Sequence, residues 1–323
     1  MDFASLALTG VPAAEQLLDR DLPFTTQQAV AAGASRDLLR LWVAEGRLRR
    51  LTRGVFVPSA VPDTLELRAN AIASVVPPHV VVTDRSAAWL HGVPILARSA
   101  TQEMPPIQAF STTGSRSRRP EVDSGIRLLS ADDVVDVHGV RATSLLRTSC
   151  DLGRLLWRHD ALAALDGALR AGVSRFRLQH ESQRFRGYRG VRQLRMLIPL
   201  ADPGAESAPE SSLRLWWLDA GLPPPVVQFW VEEDGRAVYR LDIAEPEVQY
   251  AAEYDGEQFH GADRADHDRA RREWLRERGW TVDVFRKGDL FTPGVDPVPR
   301  LQAGYRLARL RQGLSPWGGR RPH

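Results

Sequence analysis

Two carboxylates, Asp242 and Glu253, stand near the ends of consecutive segments, 237–243 and 248–254, whose alternating and β-branched residues predict strands. If those strands are neighbours in one sheet, the two acids lie side by side, where like charges repel unless a hard divalent cation sits between them. Magnesium (Mg2+), or manganese (Mn2+) in its place, accepts such oxygens, with the backbone carbonyl of Tyr254 as a third ligand and waters filling the octahedron. A water acidified by that ion can attack a phosphodiester while the ion and an arginine or histidine stabilise the pentavalent phosphate. The same acids fit ordinary solvated strand ends equally well, and spacing alone leaves both readings open.

The elements that would position these acids are legible on either side. Ser207-Ala-Pro-Glu210 has the form of a capping box, followed by a helix over 211–220 that Gly221 ends. Glu210 therefore has a purely structural explanation as a capping residue. A strand over 226–232 is joined to the strand at 237 by the hairpin signal Asp234-Gly235. After the third strand comes a helix over 265–278, in which Asp268 and Arg271 can pair across one turn, Leu275 packs inward and Gly279 caps. A strand over 280–286 completes a helix, three strands, a helix and a strand, which predicts an α/β region with a mixed sheet.

At the other end of the chain the chemistry is basic. Residues 36–53 hold six arginines against Asp37 and Glu45, although the whole chain carries a net charge of only +3. Thr25 or Thr26 caps a short helix ending near Ala31. Ser35 then caps a second over 36–45, a helix-turn-helix spacing. Leu38, Leu39, Trp42 and Val43 form its inner face and leave Arg36 and Arg40 outside. The hairpin over 47–57, turning at Arg53-Gly54, has the form of a wing. DNA is the expected partner: Arg47, Arg49, Arg50 and Arg53 for phosphates, Arg36 and Arg40 for any base contact. A solvated face of a plain helical hairpin is the competing account. A second basic stretch, 170–195, has eight arginines against Glu181.

Between these ends, 65–200 alternates helices and strands. Helices are expected over 65–75, 86–91, 145–157 and 161–171, and strands over 80–82, 107–110, 126–129 and 134–140. The 111–120 loop is taken as an exposed, solubilising segment, and His91 as a helix-end histidine. Cys150 is the single cysteine among 323 residues, which excludes a disulfide framework and cysteine-based zinc sites. No apolar run approaches the ~20 residues of a bilayer span, and Met1-Asp2 opens without a basic leader, so a soluble cytoplasmic protein with no membrane partner is expected. Lys287 is the only lysine, so phosphate contacts fall to guanidinium groups.

The segments 240–247 (Arg-Leu-Asp-Ile-Ala-Glu-Pro-Glu) and 253–260 (Glu-Tyr-Asp-Gly-Glu-Gln-Phe-His), with the Asp268, Arg271, Leu275 and Gly279 series, resemble the very-short-patch-repair-like domain of the PD-(D/E)XK nuclease superfamily. The resemblance spans about 207–290 and implies a restriction-endonuclease-like mixed sheet flanked by helices. By it Asp242 and Glu253 match the metal-binding acids and Glu210 the acid of the first helix. Asp255 occupies the position of the superfamily's lysine, and His260 matches a histidine near the scissile phosphate. Asp255 in the lysine position is the main departure from the pattern. Residues 24–57 resemble the winged helix of AbiEi-type antitoxins. The segments 82–92 (Val-Thr-Asp-Arg-Ser-Ala-Ala-Trp-Leu-His-Gly) and 143–148 (Thr-Ser-Leu-Leu-Arg-Thr) resemble their second domain, which implies a transcriptional repressor and leaves open a toxin or other protein partner. The expected organisation is a multi-domain α/β chain: a winged helix over 1–62, an α/β middle domain over 63–203 and a nuclease-like domain over 204–323. Two functions compete, a metal-dependent DNA endonuclease delivered by the winged helix, and a DNA-binding regulator or antitoxin whose nuclease fold is inactive. Asp242, Glu253 and His260 lining one pocket with an ion or an ion-sized gap would favour the first, an arginine salt bridge filling it the second.

Overall fold

The computed structural model describes residues 11–93, 106–112, 114, 117, 119, 121–256 and 262–316, without the side chains of 11–12 and 262–268. Contacts divide the chain into two compact units, 1–152 and 153–323.

The first unit opens with α1 (Val11–Glu15), β1 (Phe24–Thr25), α2 (Thr26–Ala31) and α3 (Arg36–Ala44), then the hairpin β2 (Leu48–Thr52) and β3 (Val55–Pro58). Thr25 and Gln28 close a reciprocal capping box at the start of α2, and Ser35 accepts from the Leu38 N–H at the start of α3. The strands pair in the order β1-β3-β2, all antiparallel. Leu39 and Trp42 of α3 pack with Phe24, Leu48 and Phe56, so the two helices are fixed to the sheet by one apolar core.

The unit continues with α4 (Leu65–Ala73), β4 (Val80–Val82), α5 (Asp84–Leu90), β5 (Ile107–Ser111), β6 (Val122–Ile126), β7 (Val134–Val137), β8 (Val140–Thr143) and α6 (Leu145–Leu155), whose last turn crosses the division. The five strands pair in the order β6-β5-β4-β8-β7. Two expectations shift here. The strand expected over 126–129 lies at Val122–Ile126, paired in parallel with β5. The segment 134–140 is the first arm and turn of a hairpin, because His138 and Gly139 both take positive φ and Asp136 Oδ1 accepts the Gly139 N–H at 2.9 Å. A largely buried charge chain joins α5, α6 and the loops. Arg147 donates to Asp133 at 2.7 Å and to Asp151 at 2.9 Å, and Arg127 donates to Asp84 at 2.7 Å.

The second unit holds three helices, α7 (Arg158–Arg170), α8 (Arg175–Glu181) and α9 (Val191–Leu197), followed by α10 (Ala208–Asp219). Then come β9 (Val226–Glu233), β10 (Arg236–Glu245), β11 (Tyr250–Tyr254), α11 (Ala262–Glu277), β12 (Thr281–Phe285), α12 (Lys287–Phe291) and α13 (Val298–Arg311). The sheet order is β12-β11-β10-β9, with β11 and β12 parallel and the other pairs antiparallel, so it is mixed as expected. Leu213, Trp217, Ile243, Tyr250, Phe285 and Leu301 share one core, and Val231, Leu241, Ala251, Leu275 and Trp280 a second. The expected boundary near residue 203 falls inside this unit. Arg214 of α10 reaches Asp166 of α7 through Nη2, at 2.8 and 2.9 Å to its two oxygens, and gives Nη1 to the Leu200 carbonyl at 2.6 Å. Among the described residues no helix is long and apolar enough to cross a membrane.

Candidate functional site

Asp242 and Glu253 are brought together by the register of β10 and β11. Ile243 pairs with Ala252, which places the two acids one step further along the same ladder. They line a pocket of about 320 Å³ with Arg240, Tyr254, Asp255, Arg271 and Arg272. The Tyr254 N–H donates to Asp242 Oδ2 at 2.8 Å. Burial pushes the Asp242 carboxyl up to about 7, helped by the negative charges of Glu210 and Glu253 and opposed by the Tyr254 N–H and by Arg271.

Glu253 is buried and lies against a cation. Arg271 of α11 donates Nη2 to Glu253 Oε1 at 2.5 Å and Nη1 to Oε2 at 3.0 Å, a two-pronged ion pair, and Nη2 also donates to the Arg240 carbonyl at 2.7 Å. Two further charges of the lining are paired. Arg240 holds both oxygens of Glu206 at 2.9 and 2.8 Å, and Arg286 Nε lies 3.2 Å from Asp255 Oδ2. As arranged, these residues do not fit a divalent cation: both oxygens of Glu253 face Arg271, and an ion would have to displace that guanidinium. Among the described residues no three His, Cys, Asp or Glu side chains group as a metal-ligand set.

Glu210 is the third residue of α10, and Ser207 Oγ accepts its N–H at 3.3 Å, but its carboxylate does not close the reciprocal box onto the Ser207 N–H. Ser207 Oγ donates to its Oε1 at 2.7 Å, and the Glu206 N–H and Gln228 Nε2 donate to Oε2 at 2.9 and 2.8 Å. Its charge still reaches Asp242. His260 lies outside the described residues, as does the side chain of Asp268. Lys287 is exposed at the start of α12 and is not among the residues that line the pocket. The residue that spacing did not single out for the pocket is Arg271. Locally it pairs most simply with Asp268, and its reach to Glu253 depends on how α11 crosses the sheet.

In the first unit Arg36 and Arg40 project from the exposed side of α3, and Arg40 meets Asp37 at 2.6 Å with both side chains mostly in solvent. Arg53 is exposed at the hairpin turn, beside Gly54 with φ +74°. Arg47 is exposed and lies over the Trp42 ring at 5.5 Å. Arg49 and Arg50 are half-buried: Arg49 donates to the Val61 carbonyl at 2.6 Å, and Arg50 sits over Phe56 at 5.5 Å. An arginine-bearing helix and turn thus share one rigid support.

Over 250 residues the chain is 34% identical to the uncharacterized proteins MT2308 and Rv2248 of two strains of Mycobacterium tuberculosis, covering 77% of this chain and 89% of each relative. The chain belongs to the same family as these mycobacterial proteins. Residues 13–59 match the family described as transcriptional regulator, AbiEi antitoxin, and residues 80–200 match the AbiEi antitoxin C-terminal domain. This family member therefore carries an AbiEi-like part. Its first match coincides with α1 to β3 and its second runs from β4 to the turn after α9.

Proposed function

We propose that the chain is a DNA-binding transcriptional regulator of the AbiEi antitoxin kind, whose α2, α3 and β2–β3 hairpin act as a winged helix on duplex DNA. The regulator-type match over 13–59, on a segment that presents Arg36, Arg40 and Arg53 outward, carries this reading. A toxin protein is the second partner it implies. The 207–290 region is read as a nuclease-like fold retained as a structural or interaction module, a reading supported by the Arg271 guanidinium on Glu253.

The test is binding of the full chain to duplex DNA from the region upstream of its own gene, measured across salt concentration. Arg36→Ala combined with Arg40→Ala is expected to weaken binding at least ~10-fold, within the ~1–3 kcal/mol of a good base contact. Absence of salt-dependent duplex binding would overturn the reading.

Metal-dependent phosphodiester cleavage is the second reading, favoured by the placement of Asp242 beside Glu253 in one pocket. It is checked by incubating plasmid DNA with the chain and magnesium or manganese. The regulator reading expects intact plasmid; nicking that Asp242→Asn abolishes would replace it with the endonuclease.

A further inference from the structure

The basic stretch over 170–195 folds into a surface of its own. Leu178, Glu181, Ser182 and Phe185 turn inward from α8 and the turn after it, and Val191, Leu194 and Leu197 turn inward from α9. The outward residues include four arginines with rings among them, beside Gln179, Gln183 and Met196. Arg177, Arg186, Arg189 and Arg192 are exposed, and their guanidinium groups make no ion pair among the described residues. Glu181, the one acid of the stretch, is buried and paired with Arg184. Phe176 is 75% exposed and stacks on His180 at 6.5 Å, and Tyr188 is exposed beside Phe185.

The loop that carries Arg186, Tyr188 and Arg189 is held in place. Gly190 has φ +77°, and a Cβ there would lie 1.8 Å from the Arg154 carbonyl oxygen, so backbone meets backbone. Arg154 also covers Phe185 and Tyr188 at 5.2 and 5.7 Å. Arg195 of α9 donates to the Ser182 carbonyl at 3.1 Å and ties α9 to the end of α8. The charges are therefore presented in a fixed arrangement rather than on a loose tail.

We propose that the surface built from α8, the 186–190 loop and α9 binds an unpaired nucleic-acid strand. The one-sided charge selects a polyanion. Arginine pairs with phosphates through its planar fork and also stacks on bases. Exposed aromatic rings among the arginines select a strand whose base faces are accessible, since a duplex hides its bases from Phe176 while an unpaired strand stacks on it. An anionic membrane is disfavoured by the shape of the surface. The apolar faces of both short helices are turned inward, so no continuous apolar stripe is left to insert. This contact is separate from the duplex contact assigned to α3 and the hairpin.

The experiment uses the full chain and an oligothymidylate of about 16 nucleotides, the upper site size for one such platform, with fluorescence anisotropy across salt concentration. Micromolar or tighter binding at ~0.1 M salt is expected. Arg177→Ala, Arg189→Ala and Arg192→Ala together should lower the salt slope by about 2, at ~0.7 per phosphate contact on a single strand. Phe176→Ala should weaken binding ~10-fold, as loss of one stacked base does. In the same proteins duplex binding that depends on Arg36 and Arg40 should be retained, which separates this proposal from the regulator reading. All substituted side chains are exposed, and unchanged thermal melting checks the fold. No oligothymidylate binding, wild-type binding by either variant, equal loss of duplex and single-strand binding, or sedimentation with anionic vesicles in place of oligothymidylate binding would each overturn the proposal.

Discussion

Asp242 and Glu253 are adjacent carboxylates that the fold treats in opposite ways. Asp242 is desolvated and pushed up to about 7, so its folded form binds a proton that the unfolded chain releases near the ordinary value of 3.8. A raised folded pKa gives a contribution that is complete below 3.8 and is lost as pH rises through 7. Asp242→Asn should therefore leave stability nearly unchanged at pH 4 and raise it at pH 8, by at most ~4 kcal/mol, at ~1.36 kcal/mol per pH unit between 3.8 and about 7. Urea unfolding at the two pH values reads this, and equal effects at both would refute the assigned cause. Glu253 differs because its charge is matched. Relief of carboxylate repulsion, taken alone, predicts that neutralising either acid is harmless. With Arg271 seated on Glu253, Glu253→Gln instead leaves a guanidinium short of its partner and should destabilise by roughly 1–3 kcal/mol at pH 7. Such opposite signs from two neighbouring acids would not arise at a pair of equivalent metal ligands.

At the scale of elements, what was legible in the sequence was what local chemistry decides. Thr25, Ser35 and Ser207 cap the helices expected of them, because capping needs only a hydroxyl and an N–H three residues on. The adjacency of Asp242 and Glu253 was legible for a similar reason, since two strands and a turn fix it. The strand expected over 134–140 failed at His138, which takes φ +51°, a conformation that composition does not announce for histidine. Helices α8 and α9 were hidden by arginine density, although Val191, Leu194 and Leu197 already had helical spacing. The hairpin arginines show where composition misleads about role. Arg49 and Arg53 contribute the same charge to the stretch, yet Arg49 donates to Val61 while Arg53 stands in solvent. Arg53→Ala should lower the slope of duplex binding against salt by about 0.9 and change stability by under ~0.5 kcal/mol. Arg49→Ala should do the reverse, costing roughly 1–3 kcal/mol of stability with little change in slope. Salt titrations and urea unfolding of the two variants, side by side, decide between these roles.

Within the second unit a buried ion pair ties together residues on either side of position 203. A Pro- and Gly-containing segment at 201–207 has the composition of a linker, yet its neighbourhood is pinned: Asp166 accepts the Asp202 N–H at 2.8 Å while Arg214 holds both of its oxygens. Composition shows where a chain can bend, but not which side chains will cross the bend and pair. Both partners are buried, so deleting one leaves an uncompensated charge inside, and Asp166→Ala should cost ~3–5 kcal/mol. Replacing both with apolar residues of similar size, Asp166→Leu with Arg214→Met, should recover most of that loss, because the desolvation of the ions is then avoided. Hydrogen exchange locates the effect. If α7 to α9 and the β9–β12 sheet form one cooperative block, the Asp166→Ala variant loses amide protection together in α7, α10 and β10, while the strands of the first unit keep theirs. Loss confined to α7, with α10 and the sheet protected as before, would instead place a true domain boundary at residue 203 and reduce the buried pair to a local tie.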